Sequence, residues 1–283
     1  MRINHNMAAL SLFYEQKSVE GQQATSLERI SSGLKINSAK DGPAALEKSE
    51  KMRMQIRGMQ MAARNVQDGI SMFQTAEGGM SNVSDMLQRM RDLVLESGDS
   101  SKTDSDKKNI QLEIDEIKNG INDITKNTNF NGKPLLASNE KSEITIGNNV
   151  GETVQFSFYD LSSESLGQKD ANGNVTSSIR NVNLQADSLN ANLATIDSAL
   201  STVLDARAQY GAIENRFEDT YNNLNSFSEG VQQAESDIRD SDVADEMITY
   251  TKTGVLMNAG DAMLAQANQL PKDILNILSS IKK

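Results

Sequence analysis

The 283-residue sequence has no cysteine and no tryptophan, a single histidine and three prolines. Without cysteine, the chain cannot form a disulfide framework, a thiolate nucleophile or a cysteine-ligated zinc site. The single histidine, His5, excludes the HExxH zinc motif, which requires two. Only 4% of residues are aromatic, so large globular cores would lack their usual filling. So few prolines permit long, uninterrupted helices.

Positive charge and long apolar runs are also scarce. The chain has 28 basic and 39 acidic residues, a formal net charge of −11 and a mean hydropathy of −0.51. This balance disfavours nucleic acid and anionic membranes as primary partners. No apolar run approaches the ~20 residues of a membrane span, and residues 1–16 do not follow the layout of a cleavable signal peptide. Export would therefore require a route that does not read such a signal.

Apolar residues recur at heptad spacing in two long stretches. The first half has Val66, Ile70, Phe73, Met80, Val83, Leu87, Met90 and Val94, followed by Ile110, Ile114, Ile117, Ile121 and Ile124. The second has Leu189, Leu193, Ile196, Leu200, Val203, Arg207, Tyr210, Glu214, Phe217, Tyr221, Leu224, Ser228, Val231, Glu235 and Ile238, where only four of the fifteen, Arg207, Glu214, Ser228 and Glu235, are not apolar or aromatic. Such seams need partner helices. We predict a mostly α fold, an elongated antiparallel helical bundle or coiled coil of N- and C-terminal segments.

The middle of the chain changes to period-two alternation. Ile144 and Ile146 precede Val154, Phe156 and Phe158, with a turn rich in Gly and Asn between them, which predicts a small β-hairpin with one buried face. Residues 162–180 are rich in Ser, Asn, Gly and Asp, and we expect an exposed loop there. The long return helix is predicted to begin at Asn183.

The two ends have weaker amphipathic patterns and no partner adjacent in sequence. We expect breaks at Gly33 and before Pro43, a helix start near Asp242, and a bend or interruption at Pro271. The domain prediction is terminal helices at 1–40 and 240–283, a helical rod at 41–136 and 183–239, and the small hairpin with its loop at 137–182. We expect the ends to gain order by packing against other subunits.

No motif for catalysis or for a cofactor is found. No glycine-rich loop follows a strand. Asp170, Asn172 and Asn174 match the first half of a calcium loop, but Val175 occupies its required glycine position. We predict no enzyme activity, no cofactor and no metal. The heptads alone also fit a closed coiled-coil oligomer for adhesion or signalling.

Many short motifs in order resemble bacterial flagellin across nearly the whole chain. They are MRINHN at 1–6, SSGLKIN at 31–37, SEKMRMQIRG at 49–58, RNVQDGI at 64–70, QTAEG at 74–78, LQRMRDL at 87–93, NFNG at 129–132, GAIENRF at 211–217, AESDIRD at 234–240 and AMLAQANQ at 262–269. The set is specific, whereas each motif alone is weak. Residues 137–182 leave no room for the large variable outer domains of many flagellins.

The resemblance implies a structural subunit that is exported by the flagellar type III apparatus and polymerises into the flagellar filament for motility. Its implied partners are other copies of itself, flagellar cap and hook-junction proteins, an export chaperone on the C-terminal segment, and a flagellin-sensing Toll-like receptor. Neither nucleic acid nor membrane is among them. The implied location is extracellular, in a secreted flagellum, and a periplasmic flagellum is the alternative.

The resemblance and the sequence together assign three groups of site residues. The terminal residues expected to form the inner core of the filament are Ile3, Met7, Leu10, Leu27, Ile30, Leu34, Leu256, Met263, Leu264, Leu275 and Leu278. The outer surface between protofilaments, which resembles the receptor epitope, is expected at Leu87, Arg89, Met90, Leu93 and Glu113. The expected O-glycosylation positions are Ser162, Ser163, Ser165, Thr176, Ser177 and Ser178.

Some positions depart from the family pattern. Gly42, Glu47 and Lys48 replace an acidic, a small and an aliphatic residue. A minor filament component and a hook-filament junction protein therefore remain alternatives within the same class. In the second heptad stretch, the polar positions Arg207, Glu214 and Glu235 are predicted to control the register between helices.

Overall fold

The computed structural model describes residues 6–169, 175–185 and 188–281. Its α-helices are α1 (Met7–Ser32), α2 (Pro43–Ser97), α3 (Asp104–Asn127), α4 (Leu189–Arg239) and α5 (Val243–Ile281). The strands are β1 (Asn129–Phe130), β2 (Lys133–Pro134), β3 (Lys141–Thr145), β4 (Thr153–Ser157), β5 (Gly167–Lys169) and β6 (Val175–Ser178), followed by a 3₁₀ turn at Ile179–Asn181. The mostly α fold with small antiparallel hairpins confirms the predicted class.

The chain divides into two compact units. The first comprises residues 1–56 and 229–283, and the second residues 57–228. Both boundaries fall within helices, so α2 and α4 each contribute residues to both units. In the first unit, α1 packs against α5. The terminal helices therefore have a partner within the chain, which the sequence pattern did not predict.

The core of the second unit combines α2, α3, α4 and the β3–β4 hairpin. Phe73 lies at its centre, with ring centroids 5.0 Å from Phe156, 5.0 Å from Tyr210 and 5.6 Å from Phe217, all near edge-to-face. Such pairs contribute beyond the apolar area that they bury. In the hairpin, Ile144 pairs with Val154, and Val154 and Phe156 turn inward, as the alternation predicted.

The end of α1 and the start of α5 follow the predictions at Gly33 and Asp242. Gly33 ends α1 in the left-handed conformation, with φ 71°, which glycine adopts without steric cost. Thr103 caps α3 in a capping box with Asp106. The Asp242 carboxylate accepts hydrogen bonds from the N–H groups of Ala244 and Asp245 at the start of α5.

The predicted start of the return helix and the predicted interruption at Pro271 were wrong, and the alternative of a bend at Pro271 stays a prediction. The return helix begins at Leu189 rather than Asn183, because Asn183 and Leu184 are held in the preceding segment by Asn192 and Gln111. Helix α5 is not interrupted at Pro271 and continues to Ile281. The helix therefore tolerates the loss of the backbone hydrogen bond that proline cannot donate.

The predicted exposed loop at 162–180 was also wrong for residues 162–169 and 175–180, and residues 170–174 lie outside the described part of the chain. The segment contains the β5–β6 hairpin, and its Leu166 and Ile179 are fully buried in the core of the second unit, as is Leu161 just before it. Its backbone is attached to the helices: Asn122 accepts a hydrogen bond from the Ser163 N–H, and Ser198 donates one to the Gly167 carbonyl. A few buried apolar side chains thus fix a segment whose average composition is polar.

Candidate assembly surface

The seam between α1 and α5 is half polar. Burial follows heptad spacing on both helices, at Asn6, Ala9, Leu12, Gln16, Val19, Gln23, Ser26 and Ile30 on α1, and at Glu246, Tyr250, Thr253, Met257, Gly260, Leu264, Ala267, Pro271 and Ile274 on α5. Among the described residues of the two helices, only Ser26, Thr253 and Ala267 are buried. This seam removes little apolar area from water, so it stabilises the pair weakly.

Polar contacts set the antiparallel register of this seam. The Asn6 amide donates to the Ala267 carbonyl at 2.9 Å, Gln16 donates to Asp261, and Arg29 forms an ion pair with Glu246 at 3.0 Å. The three contacts lie at successive levels along the pair. Because each polar partner fits only one level, they specify alignment more than they add stability.

Glu246 is the most strongly embedded charge of the seam. Burial opposes ionisation of its carboxyl group, but hydrogen bonds from Arg29, Ser26 and Ser241 and the charge of Arg29 outweigh it, so the pKa of Glu246 is lowered. The Arg29–Glu246 pair closes one end of a groove of about 510 Å³ lined largely by hydroxyl and amide side chains of α1. The groove is open to solvent and polar.

Large apolar side chains lie outside the seam, in contact with solvent. On α1 the exposed residues are Met7, Leu10, Phe13, Tyr14 and Leu27. On α5 they are Val243, Met247, Ile248, Val255, Leu256, Met263, Leu270, Leu275 and Ile277. This distribution is the reverse of an ordinary two-helix coiled coil, where the seam is apolar and the outside polar. We call these residues the terminal apolar surface.

The terminal apolar surface has residues on both sides of the helix pair. Successive helical residues are about 100° apart around the axis, so positions relative to the buried seam can be assigned. On α1, Phe13 and Leu27 lie on one side of the plane through both helix axes. On α5, Leu256, Met263 and Leu270 lie on the other side. The pair therefore presents two chemically similar but non-identical apolar faces.

A junction of connectors holds the ends of the four helices within the first unit. The Ser241 N–H donates to the Gly33 carbonyl at 2.9 Å, and the Lys35 N–H donates to the Arg239 carbonyl at 2.7 Å. The buried Arg239 guanidinium donates to Glu50 at 2.6 Å and to the buried Ser49 hydroxyl at 3.2 Å. One residue thus fixes the α1–α2 connector through its backbone and α2 through its side chain.

The predicted core-assembly residues are distributed as follows. Met7, Leu10, Leu27, Leu256, Met263 and Leu275 are exposed, and Ile30, Leu34 and Leu264 are half-buried. Ile3 and the side chain of Leu278 lie outside the described part of the chain. The exposed members belong to the terminal apolar surface. Their role in a filament core stays a prediction.

The predicted outer surface around Leu87 was wrong for its apolar members. Leu87, Met90 and Leu93 are fully buried in the core of the second unit, because the heptad that contains them faces the other helices. Arg89 and Glu113 are exposed and form an ion pair at 2.7 Å between α2 and α3. Of the five residues predicted for this surface, only Arg89 and Glu113 are exposed.

The expected glycosylation residues are not equally accessible. Ser163 and Ser178 are buried, which contradicts their predicted exposure, and Ser162, Ser165 and Ser177 are half-buried. Thr176 is exposed. Asp170, Asn172 and Asn174 lie outside the described residues, and within the described ranges no group of three or more His, Cys, Asp or Glu side chains could hold a metal.

The polar positions of the long heptads are each paired across α2 and α4. Arg207 forms an ion pair with Glu77 at 3.4 Å, Glu214 accepts from Gln74 at 2.8 Å, and Glu235 accepts from Ser49 at 2.8 Å. Glu47, one of the departures from the family pattern, pairs with Lys51 on the exposed face of α2, and Lys48 is exposed. Gly42 precedes Pro43, the first residue of α2.

Sequence reasoning missed the seam of α1 and α5 and the junction at Arg239. The signal was present: small and polar residues recur every three or four positions in both terminal helices. Searching only for apolar heptads overlooks such a seam.

None of the described helices is long and apolar enough to cross a membrane.

Comparisons with known proteins agree with these features. The model of the bacterial flagellin N-terminal helical region matches residues 3–141, and that of the C-terminal helical region matches residues 193–278. A flagellin of Bacillus subtilis is 40% identical over 303 residues, covering 98% of this chain and all of the relative. The flagellar filament 30.7 kDa core protein of Treponema maltophilum is 36% identical over 291 residues, covering 99% of this chain and all of the relative.

The fold is shared more widely than the sequence. A structure from Vibrio parahaemolyticus, described as a flagellar hook-associated protein, superposes with a TM-score of 0.60 at 17% identity, covering 71% of this chain and all of that one. At this identity the similarity concerns the fold alone. The two family matches together span well over half of the residues, and full-length relatives exceed 30% identity. This chain belongs to the bacterial flagellin family.

Proposed function

We propose that this chain is a structural subunit that polymerises with copies of itself into the filament of a bacterial flagellum. The observation that carries the proposal is the terminal apolar surface, which lies outside a seam that is half polar. Burying exposed apolar area is the main favourable term in association. An apolar surface of this extent on both terminal helices indicates contact with further protein.

The arrangement favours an open polymer over a closed oligomer. The faces on the two sides of the α1–α5 pair differ in sequence, and contact that joins one face to the other face of the next copy covers both. Such heterologous contacts continue indefinitely unless the rotation closes a ring. In this filament the α1–α5 pairs form the inner core, as the terminal residues predict, and the closed coiled-coil oligomer is the less favoured function.

Polymerisation of the purified full-length chain tests the proposal. Under salting-out conditions, which strengthen apolar association, we expect long tubes by electron microscopy. Chains lacking residues 1–32 or residues 243–283 should form none, since each deletion removes one helix of the pair. Discrete particles of fixed size from the full-length chain would contradict the proposal.

A hook-filament junction protein is the second candidate, because the departures from the family pattern at Gly42, Glu47 and Lys48 leave it open. A junction protein is expected to form short assemblies rather than long tubes when alone. The same micrographs therefore separate the two functions. A minor filament component would co-polymerise at a tube end or within tubes of another flagellin.

Export and location follow from this proposal. We expect secretion by the flagellar type III apparatus, a chaperone on α5 before export, cap and hook-junction proteins as neighbours, and an extracellular filament that transmits torque. The exposed apolar side chains of α5 support the chaperone, since a free chain must be protected from premature association. Secretion of the chain by cells with and without a functional export apparatus tests this route.

Recognition by a flagellin-sensing receptor rests on Arg89 and Glu113 alone. Because Leu87, Met90 and Leu93 are buried, a receptor would contact the exposed ion pair and its surroundings. We expect Arg89→Ala to weaken activation in a receptor reporter assay, and Arg91→Ala, which removes the exposed pair with Asp197, to leave it unchanged.

For O-glycosylation we propose Thr176 as the first position, since it is exposed. An intact protein mass without any modification would reject this proposal.

A further inference from the structure

The terminal apolar surface contains methionine at three separate places. Met7 on α1 is 68% exposed, and Met247 and Met263 on α5 are 47% and 56% exposed. They lie at different positions around the α1–α5 pair. Met247 and Met263 lie on the two apolar faces, and Met7 lies on the outer side of α1. Methionine suits a surface that must repack, because its side chain is unbranched and polarisable.

Exposure decides which methionines react with an oxidant. Met59, Met80 and Met90 are buried in the chain, and the thioether of a buried methionine is protected from dissolved peroxide. Met7, Met247 and Met263 are accessible in the free chain and would be covered after association. The same surface is thus reactive before assembly and protected after it.

We propose that Met7, Met247 and Met263 form a modification site at which conversion to methionine sulfoxide blocks polymerisation. The inference rests on the proposed function, because it requires the terminal apolar surface to be an assembly surface. The co-reactant is a two-electron oxidant of the peroxide class. Its O–O bond breaks, one oxygen bonds to the thioether sulfur, and the remaining oxygen leaves as water when the oxidant is hydrogen peroxide.

The sulfoxide opposes assembly through its polarity. The thioether is apolar, whereas the sulfoxide oxygen is a strong hydrogen-bond acceptor that loses its water when covered. Each modified residue that is buried without a partner should raise the critical concentration for polymerisation about tenfold, equivalent to ~1.4 kcal/mol. Enzymatic reduction to the thioether restores the surface, so the change is reversible.

Mild peroxide treatment of the full-length chain tests the inference, with peptide mass spectrometry to locate sulfoxide and pelleting to measure the critical concentration. We expect a rise of tenfold or more after oxidation and recovery after treatment with methionine sulfoxide reductases. The triple variant Met7→Leu, Met247→Leu, Met263→Leu should polymerise normally and keep its critical concentration after peroxide.

A matched control uses two methionines outside the terminal pair. Met54 and Met61 on α2 are 66% and 53% exposed, so they should oxidise as readily. A chain with Met54→Leu and Met61→Leu should remain sensitive to peroxide. If this double variant is protected and the triple variant is not, the site has been assigned wrongly.

Failure of the inference is distinguishable from failure of the proposed function. If the untreated chain does not form tubes, the proposed function is rejected. If the untreated chain forms tubes and the oxidised chain, with sulfoxide confirmed at all three positions, forms them at the same concentration, only the modification site is rejected.

Discussion

At the scale of single residues, the charges of the first unit carry the alignment of the terminal helices. Arg29 and Glu246 hold α1 against α5, and Arg239 holds the connectors. Few neighbouring side chains could make the same contacts in their place, because the α1–α5 seam consists largely of small and polar residues. Changes to them should therefore produce local and measurable effects.

The stability of the α1–α5 pair should depend on pH through Glu246. Because its pKa in the folded chain is lowered from 4.5, the ionised carboxylate contributes stability that is present above pH 4.5 and lost as the pH falls through the folded pKa. Glu246→Gln should destabilise the pair at pH 7, and its difference from the parent should shrink towards pH 3. Amide hydrogen exchange in α1 and α5 measures the destabilisation at pH 7 and its decrease towards pH 3.

Glu20→Gln provides the control for this pH effect, since Glu20 lies on the exposed face of α1. Its effect on exchange in the two helices should be small at either pH. A difference between Glu246→Gln and the parent that is equal at pH 7 and pH 3 would show that ionisation of Glu246 contributes nothing.

Arg239→Met should destabilise the first unit by about 1–3 kcal/mol, because Ser49 loses a partner and Glu50 loses its 2.6 Å ion pair with Arg239. The matched variant is Arg53→Met, which removes a longer and more exposed ion pair with the same Glu50. Its effect should stay within about 0.5 kcal/mol. Chemical denaturation of both variants makes the comparison, and equal effects would reject a special role for Arg239.

At the scale of helices and strands, the start of α3 depends on one capping box. The Thr103 hydroxyl and the Asp106 carboxylate each satisfy an N–H group that the helix leaves free. Thr103→Ala should cost about 1 kcal/mol of stability, seen as faster hydrogen exchange in the first turns of α3. Ser105 lies within the same turn, and Ser105→Ala should have little effect on stability. A similar loss of stability in both variants would contradict the capping role.

Periodicity predicted the elements whose burial is continuous. The α2, α3 and α4 seams and the Ile144–Val154 hairpin follow from spacing alone, because one mostly apolar face specifies both the period and the side that is buried. The boundaries at Gly33 and Asp242 were also evident, since each has local chemistry that requires no tertiary partner.

Elements held by isolated contacts were not predictable in the same way. Leu166 and Ile179 are buried amid a polar segment, and Lys118 is buried because its ammonium group donates to the Val182 carbonyl. Nothing in the spacing of these residues reveals a partner from a distant part of the chain. The exposed position of Leu87 and Met90 was inferred wrongly for a different reason. Both belong to the apolar heptad of α2, which predicts burial, but the family resemblance was given precedence over that pattern.

At the scale of the whole molecule, net charge opposes association. Each chain has a formal charge of −11, so copies repel one another when salt is low. Between 0.01 M and 0.15 M salt the screening length falls from about 30 Å to about 8 Å. The critical concentration for polymerisation should therefore fall steeply over this range. Pelleting at a series of NaCl concentrations measures it, and a value independent of salt would show that charge repulsion does not limit association.

The half-polar seam between α1 and α5 also has a kinetic consequence. A helix pair that buries so little apolar area opens and closes readily, so a free chain presents both complete faces for only part of the time. Starting a new polymer requires several chains to be closed at once, whereas extending one requires a single closed chain at an end that is already ordered. Elongation should thus outpace spontaneous nucleation, and the number of templates rather than the supply of chains should set how many polymers form.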